Sequence, residues 1–193
     1  MQANIAVGLL ETASIARGVE TLDAMCKAAG VELETAGPIS RGKYIIMISG
    51  PVGEVESSMA KGAEIAGDAV VVGHIIRNIH SGVLAALNKK IKAGEGCALG
   101  MVETKEALSA VFAADAAAKA AFVHVAEVNT GAGIGGKGYF VVTGEVGAVR
   151  TAVSAAMKAV GEAAIVNRIV LPNAHKDAMA AITGVEAPKR ENI

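Results

Sequence analysis

The most suggestive chemical pattern in this chain is a glycine-rich segment, Gly131-Ala-Gly133-Ile-Gly-Gly136, which Lys137 follows directly. Its spacing satisfies the GxGxxG pattern of dinucleotide sites and nearly satisfies the GxxxxGK pattern of phosphate-binding loops. Both sites need the glycines to open a helix whose N-terminus meets the phosphate, and a phosphate-binding loop also needs Ser or Thr after the lysine. Here Gly138 follows and a strand-like run begins. The segment is therefore interpreted as a loop, not a phosphate site.

The titratable side chains do not suggest a catalytic or metal site. The four histidines, which lack a carboxylate or cysteine at metal-ligand spacing, are His74, His80, His124 and His175. The last of each half, His80 and His175, favour a structural role near a helix start. Glu11 and Glu103 recur at strand-to-helix junctions, where a carboxylate can satisfy helix amides, so capping is favoured over acid–base chemistry. The sequence predicts no enzyme, no catalytic residue and no metal site.

These residues belong to a module that occurs twice. At an offset of 92, Gly8, Glu11, Thr12, Asp23 and Lys27 recur as Gly100, Glu103, Thr104, Asp115 and Lys119. At an offset of 94, Gly42, Lys43, Gly50 and Val72 recur as Gly136, Lys137, Gly144 and Val166, so two residues are inserted before the Gly-Lys pair. A repeat of this length is a domain rather than a solenoid turn. We expect a first domain over 1–90, a second over 97–185, and a flexible tail over 186–193.

Hydrophobic patterning predicts the order β-α-β-β-α-β in each half, followed by a short helix after His80 and after His175. In the first half the strands are Ile5–Leu10, a run from Val31, Tyr44–Ser49 and Val70–Ile76. The helix between the first two strands carries Ile15, Val19, Leu22, Cys26 and Ala29 on one face, and Thr12 or Ser14 can cap it. The predicted fold class is α/β (α+β): two tandem ferredoxin-like domains, each with an antiparallel-type four-stranded sheet and helices.

Composition narrows the class of partner. The 193 residues carry a net charge of −1, only 3% are aromatic, and no basic stripe is present, which argues against nucleic acid. Hydrophobic residues make up 52%, but no apolar run could span a bilayer and no leader pattern precedes the first strand, so a cytoplasmic location is expected. The apolar excess favours subunit contacts. Cys26 and Cys97 are interpreted as reduced packing residues.

Several separated motifs resemble the signature of bacterial microcompartment shell proteins. In the second half they are Ala98–Lys105, Ala114–Ala116 with Lys119, Gly144–Val149 and His175. The first half repeats them as Val7–Thr12, Asp23–Met25 with Lys27, Gly50–Gly53 and His80. Two unpermuted copies in one chain resemble the tandem-domain class of this family, and within it the tandem shell proteins of propanediol-utilising compartments.

The resemblance implies a structural protein of the compartment shell. Three tandem chains are expected to form a homotrimer, a flat pseudohexameric tile that joins other shell proteins edge to edge. The family's edge lysine falls on Lys27 and Lys119. A nearby Pro-Arg-Pro-His run of the family reads differently here, with Asn78 before His80 and Asn173 before His175. Asparagine cannot reproduce the multidentate bonding of arginine, so weaker edge contacts are expected.

The resemblance also implies a central pore for small metabolites, lined by the loops between the second and third strands. The pore-lining residues would be Ile39, Ser40, Arg41 and Gly42 in the first half, with Ile134 and Gly135 in the second. In related tandem proteins a cysteine at the position of Ser40 holds an iron–sulfur cluster. A serine hydroxyl is a poor ligand for iron, so we expect a polar opening without a cofactor.

One alternative function stays open at the level of sequence. Tandem ferredoxin-like domains also occur as regulatory modules that bind a small molecule between their halves. An effector or output domain does not follow the repeat, which weakens this alternative.

Overall fold

The structure is a computed structural model that describes residues 5–87, 98–131 and 133–183. The first half contains β1 (Ala6–Thr12), α1 (Ile15–Ala28), β2 (Glu32–Ile39), β3 (Lys43–Gly50), α2 (Val52–Ala66), β4 (Val70–Ile76) and α3 (Ser81–Leu87). The second contains β5 (Ala98–Thr104), α4 (Ser109–Ala120), β6 (His124–Asn129), β7 (Gly138–Gly144), α5 (Val146–Val160), β8 (Ile165–Leu171) and α6 (Lys176–Thr183). The predicted fold class and element order are confirmed. The expected linker over 88–96 and the tail over 186–193 lie outside the described residues.

The two sheets have the same antiparallel topology, β2-β3-β1-β4 and β6-β7-β5-β8. Their last strands correct one detail of the repeat. Gly8 pairs with Ile75, whereas its counterpart Gly100 pairs with Val170, so the offset between β4 and β8 is 95. Val72 therefore corresponds to Asn167 and not to Val166. An additional residue enters between α5 and β8, and the chance match of Val72 with Val166 hides the one-residue shift.

Helix α1 packs on its own domain through two small residues and one methionine. Its buried side chains are Gly18, Thr21 and Met25, and a Cβ atom on Gly18 would lie 2.5 Å from Tyr44 Cβ. Sequence patterning placed Ile15 and Val19 on the apolar face of this helix. In the structure Ile15 is instead 44% exposed and Val19 is 51% exposed. Cys26 is exposed as well, so it does not pack within its own chain. Cys97 lies outside the described residues.

The other face of the first sheet is covered by the second half of the chain. Val7, Leu9 and Met47 share one buried cluster with Val111 and Ala114 of α4. Alanine-rich α4 suits this position because small side chains let a helix approach a sheet closely. We call this contact between α4 and the first sheet the in-chain junction.

The matching face of the second sheet is only partly covered. Helix α6 packs Met179 and Ile182 against Leu99 and its neighbours. On β8, Ile169 is 39% exposed, and beside it a cavity of about 180 Å³ is lined by Met101, Glu103, Asn167, Arg168 and Ile169. We call this surface the open face. Among the described residues, none of the helices is long and apolar enough to cross a membrane.

Candidate functional site

The loop predicted to line the pore in the first half is a tight turn. Ser40–Gly42 form one turn of 3-10 helix between β2 and β3, with Arg41 at φ 69° and Gly42 at φ 71°. A positive φ costs a non-glycine residue conformational energy, so Arg41 is held by its surroundings. Ile39 and Ser40 are partly buried, whereas Arg41 and Gly42 are exposed.

The glycine-rich segment of the second half lies against this turn. A Cβ atom on Gly136 would lie 2.9 Å from the carbonyl oxygen of Ser40, so only glycine allows the approach. Ile134 is partly buried and Gly135 is exposed. The segment leads into β7 rather than into a helix, which agrees with its interpretation as a loop. The structure thus brings together the two loops that sequence named separately.

A buried lysine joins these loops to both halves. Lys43 Nζ donates to Glu11 Oε1 at 2.7 Å, to the carbonyl oxygen of Gly136 at 3.2 Å, and to a carboxylate oxygen of Glu106. The side chains of Lys43 and Glu11 are 10% and 0% exposed. The sequence predicts a capping role for Glu11 and singles out Lys43 only as a repeated residue, although their matching recurrence as Glu103 and Lys137 is a signal for a pair.

Burial sets the ionisation of this cluster. Burial raises the pKa of Glu11, and hydrogen bonds from Lys43 and from the Leu108 amide oppose that effect. Burial alone would lower the pKa of Lys43, but its hydrogen bonds to Glu106 and Glu11 outweigh burial and raise it. Lys43 is therefore charged at neutral pH.

Glu11 also caps a helix, but not the helix of its own domain. Its Oε2 atom accepts a hydrogen bond of 3.2 Å from the backbone N–H of Leu108, at the start of α4. Helix α1 is capped instead by Ser14, whose Oγ accepts from the Arg17 N–H at 3.4 Å. The predicted capping role is thus confirmed for Glu11, with the helix supplied by the other half.

The equivalent pair in the second half lacks such partners. Lys137 Nζ donates to Glu103 Oε1 at 2.8 Å, and the two side chains are 42% and 32% exposed. Within the described part of the chain, a helix amide does not reach Glu103. The pair borders the open face.

The predicted edge residues fall into two groups. Lys119 Nζ lies 2.5 Å from Asp115 Oδ2 and donates to the carbonyl oxygen of Arg77 at 3.1 Å, beside a cavity of about 310 Å³ that Asn78 and His80 also line. Asp115 Oδ1 in turn accepts from the His80 N–H at 2.8 Å. The second group consists of Lys27, Asn173 and His175.

Lys27 represents that second group. Among the residues that the structure describes, it pairs only with Asp23, at 2.6 Å, and both side chains are largely exposed. Asn173 and His175, the counterparts of Asn78 and His80, lie between β8 and α6, and no hydrogen bond or ion pair joins either of them to Lys27 within the described residues.

The histidines behave as structural residues. Each late histidine accepts through Nδ1 near a helix start: His80 from the Gly82 N–H at 3.1 Å, and His175 from the Asp177 N–H at 3.3 Å. His74 stacks on Phe112 of α4 with ring centroids 4.3 Å apart, and burial lowers its pKa. Across the described ranges, three or more His, Cys, Asp or Glu side chains are nowhere grouped to hold a metal ion.

Comparison with known proteins gives consistent matches. The BMC domain family model matches residues 6–79 and 98–174. The bacterial microcompartment shell protein PduT of Citrobacter freundii is 41% identical over 172 residues, covering 89% of this chain and 94% of the relative. The carboxysome shell protein CsoS1B of Halothiobacillus neapolitanus is 38% identical over 82 residues, covering 41% of this chain and 74% of the relative.

Solved structures agree. A microcompartments protein from Desulfitobacterium hafniense DCB superposes with a TM-score of 0.78 at 40% identity, covering 91% of this chain and 98% of that one. The fused permuted hexameric shell protein MSM0275 from the RMM microcompartment gives a TM-score of 0.66 at 25% identity, covering 83% and 85%.

Proposed function

Because this chain belongs to the BMC domain family and is a structural shell protein of bacterial microcompartments, not an enzyme, we propose that three copies close into one pseudohexameric tile. The tile joins other shell proteins at its edges and admits small polar metabolites through a central pore. The relatives described above give no support to the regulatory alternative.

The observation that carries this proposal is the unequal burial of equivalent residues. The apolar residues at the in-chain junction are Ala107, just before α4, and Val111, Ala114 and Ala118 of α4. Their counterparts 92 positions earlier are Ile15, Val19, Leu22 and Cys26. Val111 is fully buried against the first sheet, whereas Val19 is 51% exposed. The face of α4 is therefore buried against a sheet, whereas the equivalent face of α1 has no sheet to cover it within the single chain.

The missing sheet is the open face of another chain. Met101, Ile169 and Leu171 occupy the strand positions that Leu9, His74 and Ile76 hold in the first sheet. If α1 of one chain covers the open face of the next, every junction repeats the in-chain junction. Such a head-to-tail contact must close into a ring or grow into a filament, and a pseudohexameric tile of two domains per chain closes after three chains.

The mass of the particle tests this proposal. Sedimentation or native mass measurement of the purified chain should give three chains per particle. A stable single chain at micromolar concentration would contradict both the tile and its pore.

The Ser40 turn is proposed as the narrowest part of the pore, and the pore is proposed to lack an iron–sulfur cluster. Support comes from the close approach of the Ser40 turn and the glycine-rich loop. The exposed Arg41 beside the opening would favour anionic over cationic metabolites.

Replacing Ser40 with cysteine should create a cluster site. Three thiolates would meet at the axis, and thiolates are the ligands that iron–sulfur clusters require. Anaerobic reconstitution of Ser40→Cys should yield iron, acid-labile sulfide and a visible chromophore, while the wild-type chain treated alike stays colourless. A trimeric Ser40→Cys variant that binds no iron would place Ser40 away from the axis, and an iron-containing wild-type protein would refute the absence of a cofactor.

Lys27 and Lys119 are proposed to make the contacts between tiles, beside Asn78, Asn173, His80 and His175. Substituting alanine for both lysines should leave the trimer intact, because Lys27 is exposed and Lys119, which pairs with Asp115 and the Arg77 carbonyl oxygen, is itself 39% exposed and contributes little. Extended layers of tiles, visible by electron microscopy of the wild-type protein, should disappear. Unchanged layers would show that both lysines are ordinary surface residues.

A further inference from the structure

We propose that Glu103 and Lys137 form the polar centre of the contact with a second copy of this chain. Glu103 accepts a hydrogen bond from the backbone N–H of Ala16 in the second copy, and Lys137 donates to the carbonyl oxygen of its Gly42. The inference rests on the proposed trimer and adds the residues that hold one chain to the next.

The in-chain junction supplies the template. There, Glu11 accepts from the Leu108 amide at the start of α4, and Lys43 links Glu11 to the carbonyl of Gly136. The repeat offsets convert Glu11 and Lys43 into Glu103 and Lys137. They likewise convert Leu108 into Ala16, 92 positions earlier, and Gly136 into Gly42, 94 positions earlier.

The second pair is arranged for this contact but lacks its partners. Glu103 and Lys137 already form an ion pair of 2.8 Å, as Glu11 and Lys43 do at 2.7 Å. Yet their side chains are 32% and 42% exposed, against 0% and 10% in the first pair. Glu103 lines the cavity of about 180 Å³ on the open face, at the position that α4 fills in the first sheet.

The other side of the contact is also prepared. Ala16 lies in the first turn of α1, where backbone N–H groups have no partner within the helix and the helix dipole favours a carboxylate. The exposed Ile15 and Val19 flank Ala16 and would carry it onto the open face. Gly42 is exposed at the end of the Ser40 turn.

One substitution makes the contact between chains weaker than the in-chain junction. Lys43 contacts a second carboxylate, that of Glu106, and the residue equivalent to Glu106 is Ser14. The alignment is secure because the Thr104 hydroxyl donates to the Glu106 carbonyl at 2.7 Å, just as the Thr12 hydroxyl donates to the Ser14 carbonyl at 2.9 Å. Lys137 therefore meets one carboxylate where Lys43 meets two.

Dissociation of the trimer on dilution tests these roles. Glu103→Gln and Lys137→Met should each raise the concentration at which the trimer dissociates by about tenfold or more, because a charge buried in the contact loses its partner. The matched controls are Glu64→Gln and Lys61→Met. They break an ion pair of 2.7 Å on the surface of α2. The controls should leave dissociation unchanged.

A variant that gains stability provides the sharper test. Ser14→Glu restores the second carboxylate and should lower the dissociation concentration about three- to tenfold. The gain should vanish in the double variant Ser14→Glu with Lys137→Met, because the lysine is the group that the new carboxylate contacts. A gain that persists without Lys137 would contradict the proposed pairing.

The outcomes separate the two levels of the proposal. A wild-type chain that never forms a trimer overturns the proposed tile. A normal trimer whose dissociation is unchanged in both Glu103→Gln and Lys137→Met, with the variants folded by circular dichroism, overturns only the assignment of these residues.

Discussion

Replacing Lys43 with methionine should lower the free energy of unfolding by about 3 to 5 kcal/mol, the usual cost of removing one partner from a buried ion pair. Methionine keeps most of the side-chain volume, so the loss comes from the charge and its hydrogen bonds rather than from a cavity. Glu11 is fully buried and would be left without its cation, and the Gly136 carbonyl would lose a donor. Chemical denaturation of Lys43→Met and wild type at neutral pH measures the difference.

The difference in unfolding free energy between wild type and Lys43→Met should become smaller as the pH is lowered. Burial already raises the pKa of Glu11, and removal of Lys43 eliminates a group that opposes this rise. A carboxylate whose pKa is higher in the folded state binds protons that the unfolded chain releases, so stability increases as the pH falls through the folded pKa. The variant should therefore approach wild type in mildly acidic buffer.

The matched control is Lys137→Met, which breaks the equivalent but half-exposed pair. In the isolated chain it should cost about 1 kcal/mol or less, because an exposed ion pair contributes little. Equal losses for Lys43→Met and Lys137→Met, both measured at concentrations where the trimer has dissociated, would show that burial does not distinguish the two pairs.

Replacing Val19 with aspartate should prevent trimer formation while the single chain stays folded. Val19 is 51% exposed in the single chain, so the substitution costs only a modest loss of helix propensity there. In the proposed tile the same position is buried on the open face, near Met101 and Ile169, where an unpaired carboxylate is strongly disfavoured. Sedimentation should find single chains at concentrations where wild type is trimeric.

A suitable control places the same charge on another helix. Ala60 is exposed on α2, which takes no part in the in-chain junction, and its counterpart Ser154 is exposed as well. Ala60→Asp should remain trimeric. A trimeric Val19→Asp variant would mean that α1 does not lie between chains.

The elements of the fold could be predicted from sequence because their periodicity is local and occurs twice. What an apolar helix face packs against is not local information. Ile15 and Val19 share a regular helical face, yet the buried face of α1 is formed by Gly18, Thr21 and Met25. Glycine and threonine permit close contact but contribute weakly to an apolar pattern. The face with the larger apolar side chains, Ile15 and Val19, therefore gave the stronger signal in the sequence.

The polar network was harder to predict. Lys43 joins residues 32, 63 and 93 positions away, which only the tertiary fold brings together. The repeat did carry a usable signal, since a glutamate and a lysine recur with almost the same separation in both halves. It could not reveal that Glu11 caps a helix of the other domain, because local reasoning assigns a cap to the nearest helix.

The cover that α4 provides for the first sheet has a consequence for synthesis of the chain. When β4 has left the ribosome, all four strands of the first sheet are available, but α4, which shares a buried cluster with Leu9 and Met47, has not yet emerged. About 44 further residues, from the end of β4 at Ile76 to the end of α4 at Ala120, must be added, which takes roughly 2 to 9 seconds at the usual rate of ~5–20 residues per second. During that interval the nascent sheet presents an apolar surface that chaperones can bind, and the first domain completes its folding only when α4 of the second domain has emerged.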